Sequence, residues 1–491
     1  MFDWANKKIK AGMSRSERRV ANNLGVIAIN KSDGVHPVRS KLLDRLDAYY
    51  ENKQYDALPD WDSAVDRKGS YVEVRKRQPR FKVSFAKNLA QRVASKLIGD
   101  SVFPTFKIQD NPDDTEFFRA VVRESKLKSF MLEPIRREIN SGSVFIRFYL
   151  VAGTIKLKWY NAKYCYPSFQ ENGELELVTI KYVYDDKEEK DAFGNPKKKW
   201  YKVDLGMGSE ILFDNPDYEE GKEPEFVEVS RVDHGMGFVQ GEWFKTCESN
   251  DSPDGYGLVE DLTSFIDELC YSLSQSSQAV GYNQDPQLIL NKMDEDEVSN
   301  LIRSASKSWN LGREGDAKFL ESNMGGVERA IELRDKVRQN IADISRVVLL
   351  DPEKIVGSAQ SAKAMEVLHG PLKDLIDEMR LVMEDHLKKL VLKMGIAILM
   401  AQKQGIDIPL MLPEGYQPTS IDLQVEWPPI FQQTMEDLQK KVAVAVAASS
   451  GNIISRETAL RWLAKDFNVE DVEAELAKVD TQKVINPFGG F

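Results

Sequence analysis

The stretch LTSFIDELCYSLSQSSQAV, residues 262–280, decides the fold that this sequence predicts. Its apolar positions recur at the spacing of one helix face. They are Leu262, Phe265, Ile266, Leu269 and Leu273. A second helical pattern follows Gly325 and Gly326 and ends at Asp351 and Pro352. Its apolar positions are Ile331, Val337, Ile341, Ile344 and Val348. The sequence therefore predicts two amphipathic helices on either side of an insertion.

The insertion between the two helices, residues 285–322, has its own pattern. Residues 287–291 and 317–321 are strand-like, and residues 294–308 between them are helical. We therefore expect a compact α/β module with one helix between two short strands.

The chain before residue 262 is predicted to begin with helices and to become rich in strands. Helical spacing covers residues 39–56 and 85–97. From Gly142 the period changes to two, and Gly153 supplies a turn, which predicts a β-hairpin. Further strands are expected in four runs, with a polar loop at 185–199 between the first two. The runs are 175–184, 200–205, 210–213 and 225–232.

The chain after residue 361 is predicted to be helical. A long helical pattern runs from Ser361 to about Gln404, and Gly370-Pro371 stands inside it. Proline removes a backbone hydrogen bond and clashes with the preceding turn, so we expect a kink there. Two final helices are predicted at 435–449 and 456–463, with Ser455 as the N-cap of the second.

The composition limits the class of protein. The 491 residues exceed the size of one core, so two or more domains or an elongated subunit of several parts are expected. The net charge of -11 argues against a protein that grips nucleic acid through bulk basicity. It is compatible either with no DNA contact or with a wall past which DNA slides without sticking. No signal peptide or transmembrane segment is predicted, since the most apolar run, 394–401, is short.

The sequence contains no recognisable catalytic or cofactor motif. The three cysteines are widely spaced, which predicts neither disulfides nor a zinc site and fits a reducing cytoplasm. No phosphate-binding or dinucleotide-binding glycine loop is found, and the four histidines are scattered. Residues 250–261 loosely follow a calcium-loop spacing, but a turn that starts the next helix is the preferred interpretation. We predict no enzyme activity, no metal and no cofactor.

Two basic segments are open to two interpretations each. Arg75, Lys76, Arg77 and Arg80 could contact DNA or capsid, or could form a solvated charged face. Residues 1–20 contain Phe2, Trp4 and Ile9 among basic side chains, and could be a partner-docking arm or a disordered terminus.

Several stretches, in order along the chain, resemble segments of tailed-bacteriophage portal proteins, in particular the mid-sized portals of long-tailed phages. FAKNLAQRVASKLIGD (85–100) is similar to an early helix of that family, and SGSVFIRFYLVAGTIKLKWYNAKYCYPSF (141–169) to its wing hairpin. GYGLVEDLTSFIDELCYSLSQSSQ (255–278), with its Ile266-Asp267 pair, resembles the first stem helix. SAKAMEVLHGPL (361–372) resembles the start of the wing helix. GNIISRETALRWL (451–463) and VEDVEAELAKV (469–479) resemble the crown.

The resemblance implies an α+β portal fold with wing, two-helix stem, small α/β clip, long kinked helix and α-helical crown. The implied segments are an N-terminal arm and wing (1–254, β-rich from about 142), stem helix 1 (255–280), clip (281–324), stem helix 2 (325–348), tunnel loop (349–361), wing helix with its return (362–425) and crown (426–491).

The resemblance also implies function and partners. The subunit would belong to a homo-oligomer, a dodecamer, at the portal vertex of the virion, assembled in the host cytoplasm and without membrane contact. Its channel would pass double-stranded DNA, non-specifically, during packaging and ejection. Partners would be the terminase large subunit, the head-tail adaptor, and the major capsid and scaffolding proteins.

The resemblance assigns two sets of site residues. The tunnel loop would present Asp351, Glu353, Lys354, Ser358 and Gln360 to DNA. The clip would bind terminase and adaptor through Gln287, Asp294, Glu295, Arg303, Lys307 and Arg313.

Two other classes of function stay open at the level of sequence. One is a minor capsid or scaffold subunit without a channel. The other is a metal-dependent enzyme of nucleic-acid metabolism, because a fold can gather dispersed carboxylates into a two-metal site.

Overall fold

A computed structural model describes the chain from Pro37 to Lys478 with internal gaps. The residues outside the description are 1–36, 64, 66–68, 109–110, 152, 191–193, 221, 248–251, 285–286, 292–315, 321–324, 348–368, 411, 414–415, 417–421, 431–434, 452, 465–466, 468, 470–471, 473–474 and 479–491. The chain divides into two compact units, 1–349 with 374–428, and 350–373 with 429–491. The domain bounds expected from the sequence stay predictions.

The first unit begins with helices that pack on one another. They are α1 (Pro37–Tyr50), α2 (Phe85–Ile98), α3 (Pro112–Glu124), α4 (Leu127–Phe130) and α5 (Leu132–Ser141), with the short strand β1 (Thr105–Ile108) after α2. The α2 prediction is confirmed: its small-residue stripe is buried, and the helix packs on α5. Helices α3 to α5 were not predicted. A signal for α3 existed, because Asn111 caps it through the Asp114 amide at 3.0 Å and Pro112 follows at the first helical position.

Helix α1 ends at Tyr50, so the prediction that it extends to residue 56 is wrong. Asn52 adopts a left-handed conformation with φ of 59°. The Lys53 amide then bonds the Ala48 carbonyl, and the Asn52 amide bonds the Tyr49 carbonyl. These two bonds close a helix C-terminus of the Schellman type, in which Asn tolerates the left-handed position.

Eight antiparallel strands, β2 to β9, form two sheets in the described part of the chain. A three-stranded sheet has the order β3-β2-β9, and a five-stranded sheet the order β4-β5-β6-β7-β8. The strands are β2 (Ser143–Val151), β3 (Thr154–Asn161), β4 (Cys165–Phe169), β5 (Leu175–Lys190), β6 (Pro196–Gly206), β7 (Ser209–Phe213), β8 (Glu228–Asp233) and β9 (Gly241–Lys245). Strand β12 (Leu423–Glu426) pairs with β1. The predicted hairpin and the predicted α+β class are confirmed.

The polar loop predicted at 185–199 is wrong, because β5 and β6 continue through most of it. Asp185 pairs with Lys198, and Asp186 with Lys197. The Lys199 ammonium lies 3.2 Å from Asp186 and 2.6 Å from Glu189. Cross-strand pairs of opposite charge stabilise a ladder even where the composition looks loop-like.

Two helices and a strand pair follow the sheets. Helix α6 (Thr263–Gln284) precedes β10 (Gln287–Asn291), and β11 (Asp316–Leu320) precedes α7 (Gly325–Ser345). The two predicted helices and both predicted strands of the insertion are confirmed; the helix predicted at 294–308 lies outside the described residues. Helix α7 ends at Ser345 rather than Val348, because Arg346 takes a left-handed conformation with φ of 55°.

The long helix α8 runs from Gly370 to Lys403. Pro371 therefore lies in its first turn, where a missing amide hydrogen costs nothing, and not in the middle of the helix as predicted. Residues 361–368 lie outside the described residues. In the second unit, α9 (Met435–Ser450) and α10 (Arg456–Ala464) confirm the two final helices. The Thr458 amide donates to the Ser455 hydroxyl at 3.0 Å, so the predicted N-cap is also confirmed.

A buried carboxyl group in α5 gives the first unit a testable pH dependence. Glu138 is 2% exposed, and within the described residues its Oε2 has no hydrogen-bond partner. Burial raises its pKa to about 8. The folded chain thus keeps a proton that the unfolded chain releases near pH 4.5. Because of this group, the free energy of unfolding falls as pH rises from about 4.5 to about 8.

We expect Glu138→Gln to flatten that dependence. Between pH 5 and 9 the free energy of unfolding of the wild type should fall by up to about 4 kcal/mol more than that of the variant. Thermal denaturation across this pH range measures the difference, and Glu116→Gln, on an exposed side chain of α3, is the control. Parallel curves for wild type and Glu138→Gln would contradict the assignment.

Candidate functional site

Helices α6 and α7 pack against each other and form the centre of the candidate site. Strands β10 and β11, which follow α6 and precede α7, pair in antiparallel register from Gln287 with Leu320 to Asn291 with Asp316. The result is a helix, strand pair and helix in series. Such a unit can present the strand pair at one end of a two-helix support.

The segment before α6 is fixed by close backbone contact with the end of α5. Gly142 has φ of 88°, and a Cβ there would lie 2.2 Å from the Gly255 carbonyl oxygen. A Cβ on Gly255 would in turn lie 2.5 Å from the Gly142 oxygen. Only glycine at both positions permits this approach, so the glycine-rich start of the helix is a packing requirement.

Asp254 anchors the same segment to the rest of the unit. Its carboxylate accepts hydrogen bonds from Arg39 at 2.6 and 2.9 Å and from the Ser143 hydroxyl. Arg39 also donates to the carbonyls of Ala162 and Cys165. This carboxylate is therefore occupied by protein donors, which agrees with the turn interpretation of residues 250–261.

Asp267 ties α6 to the first helix and to the segment after it. The hydroxyls of Tyr49 and Tyr55 donate to its two oxygens at 2.7 and 2.6 Å. Burial, followed by these bonds, raises the pKa of both tyrosines, so they stay protonated donors. The Ile266-Asp267 pair singled out in the sequence thus has one buried apolar member and one anchoring member.

The four basic residues at 75–80 do not share one environment. Arg77 is 7% exposed and donates to the Trp61 carbonyl, so it supports packing and is not available for a DNA or capsid contact. Arg75 pairs with Glu268 on α6, Lys76 with Glu73, and Arg80 with Asp62 at 3.7 Å. The side chains of Arg75, Lys76 and Arg80 are more than half exposed, so a role for these three stays a prediction.

A triad of Glu242, His386 and Lys393 attaches α8 to the three-stranded sheet. Glu242 on β9 is 5% exposed, and its two oxygens lie 3.0 Å from His386 Nδ1 and 2.6 Å from Lys393 Nζ. Burial alone would raise the pKa of Glu242, but the bond to His386 and the charge of Lys393 outweigh it and lower that pKa. The carboxylate therefore stays ionised at neutral pH.

A surface ion pair joins the elements that flank residues 348–368. Arg346 Nη1, just after α7, lies 3.0 Å from both oxygens of Glu378 on α8. This pair therefore holds the end of α7 against α8.

Most of the predicted site residues lie outside the described residues. This holds for the tunnel-loop residues Asp351, Glu353, Lys354, Ser358 and Gln360, and for the clip residues Asp294, Glu295, Arg303, Lys307 and Arg313. Gln287 is the first residue of β10. The anchoring residues Arg39, Asp254, Glu242, His386 and Lys393 were missed, because no local pattern joins partners more than a hundred residues apart.

The described part of the chain offers neither a metal-binding cluster nor a membrane-spanning helix. Among the described residues, no group of three or more His, Cys, Asp or Glu side chains could hold a metal ion. No described helix combines the length and apolar character needed to cross a membrane.

Comparison with known proteins identifies the class. The family described as phage portal protein, SPP1 Gp6-like, matches residues 30–484, which is most of the chain. The molecule is therefore a phage portal protein. Within that class, the chain belongs to the SPP1 Gp6-like family, and the sequence-based expectation of a portal protein is confirmed.

The chain was also compared with solved structures and with curated proteins. Among solved structures, the chain is similar to one from the neck of an empty GTA particle computed with C6 symmetry. That similarity has 10% identity and a TM-score of 0.42, and it covers 77% of this chain and 90% of the other. The search of curated proteins gave no match.

Proposed function

We propose that this portal protein assembles as a closed ring of twelve copies at the portal vertex of the virion, and that double-stranded DNA passes through the central channel during packaging and ejection. The observation that carries the proposal is the family match across residues 30–484. The helix, strand pair and helix at 263–345 support it, because this is the order expected for stem, clip and stem. The protein acts as a structural conduit and not as an enzyme.

The charge of the chain suits a conduit. A net charge of -11 disfavours tight binding of a polyanion, so DNA can move past without being held. In the proposed tunnel loop, 349–361, the single basic residue Lys354 follows Asp351 and Glu353 and precedes Gly357. A loop of mixed charge can follow passing phosphates without retaining them.

The proposed partners are those that the resemblance to portal proteins implies. The clip, 281–324, would dock the terminase large subunit during packaging and the head-tail adaptor afterwards. Major capsid and scaffolding proteins would surround the wing, and assembly would take place in the host cytoplasm. The exposed Arg75, Lys76 and Arg80 are candidate contacts for capsid or DNA.

We expect the purified protein to form a cyclic oligomer with a central hole. Native mass spectrometry measures the subunit number, and negative-stain electron microscopy shows the hole. A chain that stays monomeric at high concentration would exclude the ring. An assembly without a hole would favour a minor capsid or scaffold role, and divalent-dependent cleavage of DNA by the pure protein would favour an enzyme.

A further inference from the structure

Strand β8 is an edge strand whose two faces are both exposed. Within the described residues it pairs only with β7, so its outer edge carries free backbone donors and acceptors. All six of its residues are exposed. Val229, at the point where the register with β7 shifts, and Val232 are 63% and 58% exposed, and the preceding Val227 is 62% exposed. An exposed edge strand that carries such valines is a template for a further strand.

The surroundings of β8 are strongly acidic. Residues 214–233 contain eight carboxylates against two basic side chains. The carboxylates are Asp214, Asp217, Glu219, Glu220, Glu223, Glu225, Glu228 and Asp233. Arg231 pairs with Glu228 and Lys222 with Glu219, and Lys181 and Lys197 from neighbouring strands pair with Glu223 and Asp217. Even with these four pairs the carboxylates of the stretch outnumber the basic side chains next to them. A strand that adds here would be favoured by a basic extension.

The N-terminal segment of the same polypeptide has the complementary sequence. Residues 1–20 contain six basic and two acidic side chains, in a chain whose net charge is -11. After three further residues comes 24–30, LGVIAIN, which is a strand-like run in the sequence. Its Val26 and Ala28 would face one side and Ile27 and Ile29 the other, so either face could cover the exposed valines of β8.

The available chain length favours a neighbouring copy as the donor. Arg39 near the start of α1 donates to the Cys165 carbonyl of β4, at the opposite edge of the five-stranded sheet. A sixth strand beyond β8 would lie five strand spacings away, about 24 Å. The link from Asn30 to Pro37 spans about 24 Å only when fully extended. Residues 24–30 could therefore reach β8 of their own subunit only with the link fully extended. The same residues of a neighbouring subunit in a ring could approach β8 without crossing the sheet.

We propose that residues 24–30 of a neighbouring copy add to β8 as a sixth strand, with the basic residues of 1–20 over the acidic stretch 214–233. This inference rests on the ring proposed above. Each copy would give one arm and receive another, which is a heterologous contact that closes with the ring.

A pair of cysteine substitutions tests the docking in the full-length oligomer. Ile27→Cys combined with Val229→Cys should give, with a short thiol cross-linker, a ladder of multiples of the chain on a denaturing gel. Ile27→Cys combined with Val151→Cys is the matched control, because Val151 is also an exposed strand valine, 49% accessible, but lies at the β2–β3 turn. We expect the control to lose the ladder. Raising salt from 0.15 to 1 M should lower the yield, since the screening length falls from about 8 to about 3 Å.

The outcomes separate this inference from the proposed function. Rings that form without any ladder, or with equal ladders in test and control variants, overturn the docking and leave the portal ring standing. A cross-link confined to single chains overturns the assignment to a neighbour. A wild type that forms no ring overturns the ring and this inference together.

Discussion

Replacing Glu242 by leucine should destabilise the first unit by about 3–5 kcal/mol, because the half-buried Lys393 would lose its counter-charge and the buried His386 would lose its hydrogen-bond partner. Lys393 and His386 are on α8, and Glu242 is on the sheet, so the same change loosens the long helix from its support. Thermal denaturation measures the effect as a lowered melting temperature of the corresponding transition.

Two controls make this result specific to the triad. Lys388→Ala removes an i,i+4 pair with Glu384 on the same helix, and should cost no more than about 0.5 kcal/mol. A triple variant, Glu242→Leu with His386→Phe and Lys393→Met, should recover most of the lost stability, because no charge then stays buried. If Glu242→Leu costs no more than Lys388→Ala, the triad does not hold the helix in place.

Deleting residues 349–361 should abolish retention of packaged DNA while rings still form. In the proposed function this loop faces the channel, and the interface between copies does not depend on it. The amount of nuclease-protected DNA per particle measures the effect, and electron microscopy verifies the rings.

A milder variant tests the charge of the same loop. Lys354→Glu would bring the number of acidic side chains in the loop to three, with Asp351 and Glu353. Their repulsion of phosphates should reduce the amount of packaged DNA, but by less than the deletion does. Lys187→Glu, on the exposed end of β5, is the matched control and should leave packaging unchanged. Normal packaging and retention in both loop variants would show that 349–361 is not the tunnel loop.

A mechanical role that we propose for α8 would connect the two predictions. Arg346, just after α7, pairs with Glu378 in the third turn of α8. The Glu242 triad lies further along the same helix. Under the proposed function, a force from moving DNA on the loop would pass into an anchored helix, so weakening the triad should also make DNA retention more sensitive to temperature.

Local chemistry made part of the fold predictable. The stripe of α2, the spacing in α6 and α7, the alternation in β2 and β3, and the Ser455 cap all depend on residues within one or two turns or one strand pair. The prediction of a loop at 185–199 failed because pairing between strands determines the structure there. The ladder between β5 and β6 contains charged residues that look loop-like in isolation. The ends of α1 and α7 depend on single left-handed residues, Asn52 and Arg346, whose type does not require that conformation.

By itself the sequence determined the α+β class, the two helices around the insertion and the portal family, because periodicity and the order of segments are properties of the chain alone. The tertiary structure decided which side chains are anchors. Arg39 meets Asp254 and Glu242 meets Lys393 across separations of 215 and 151 residues. It also decided that Arg77 is buried and that, among the described strands, β8 pairs on one side only. Burial and pairing are set by what the folded chain brings alongside a residue, and no local pattern encodes that.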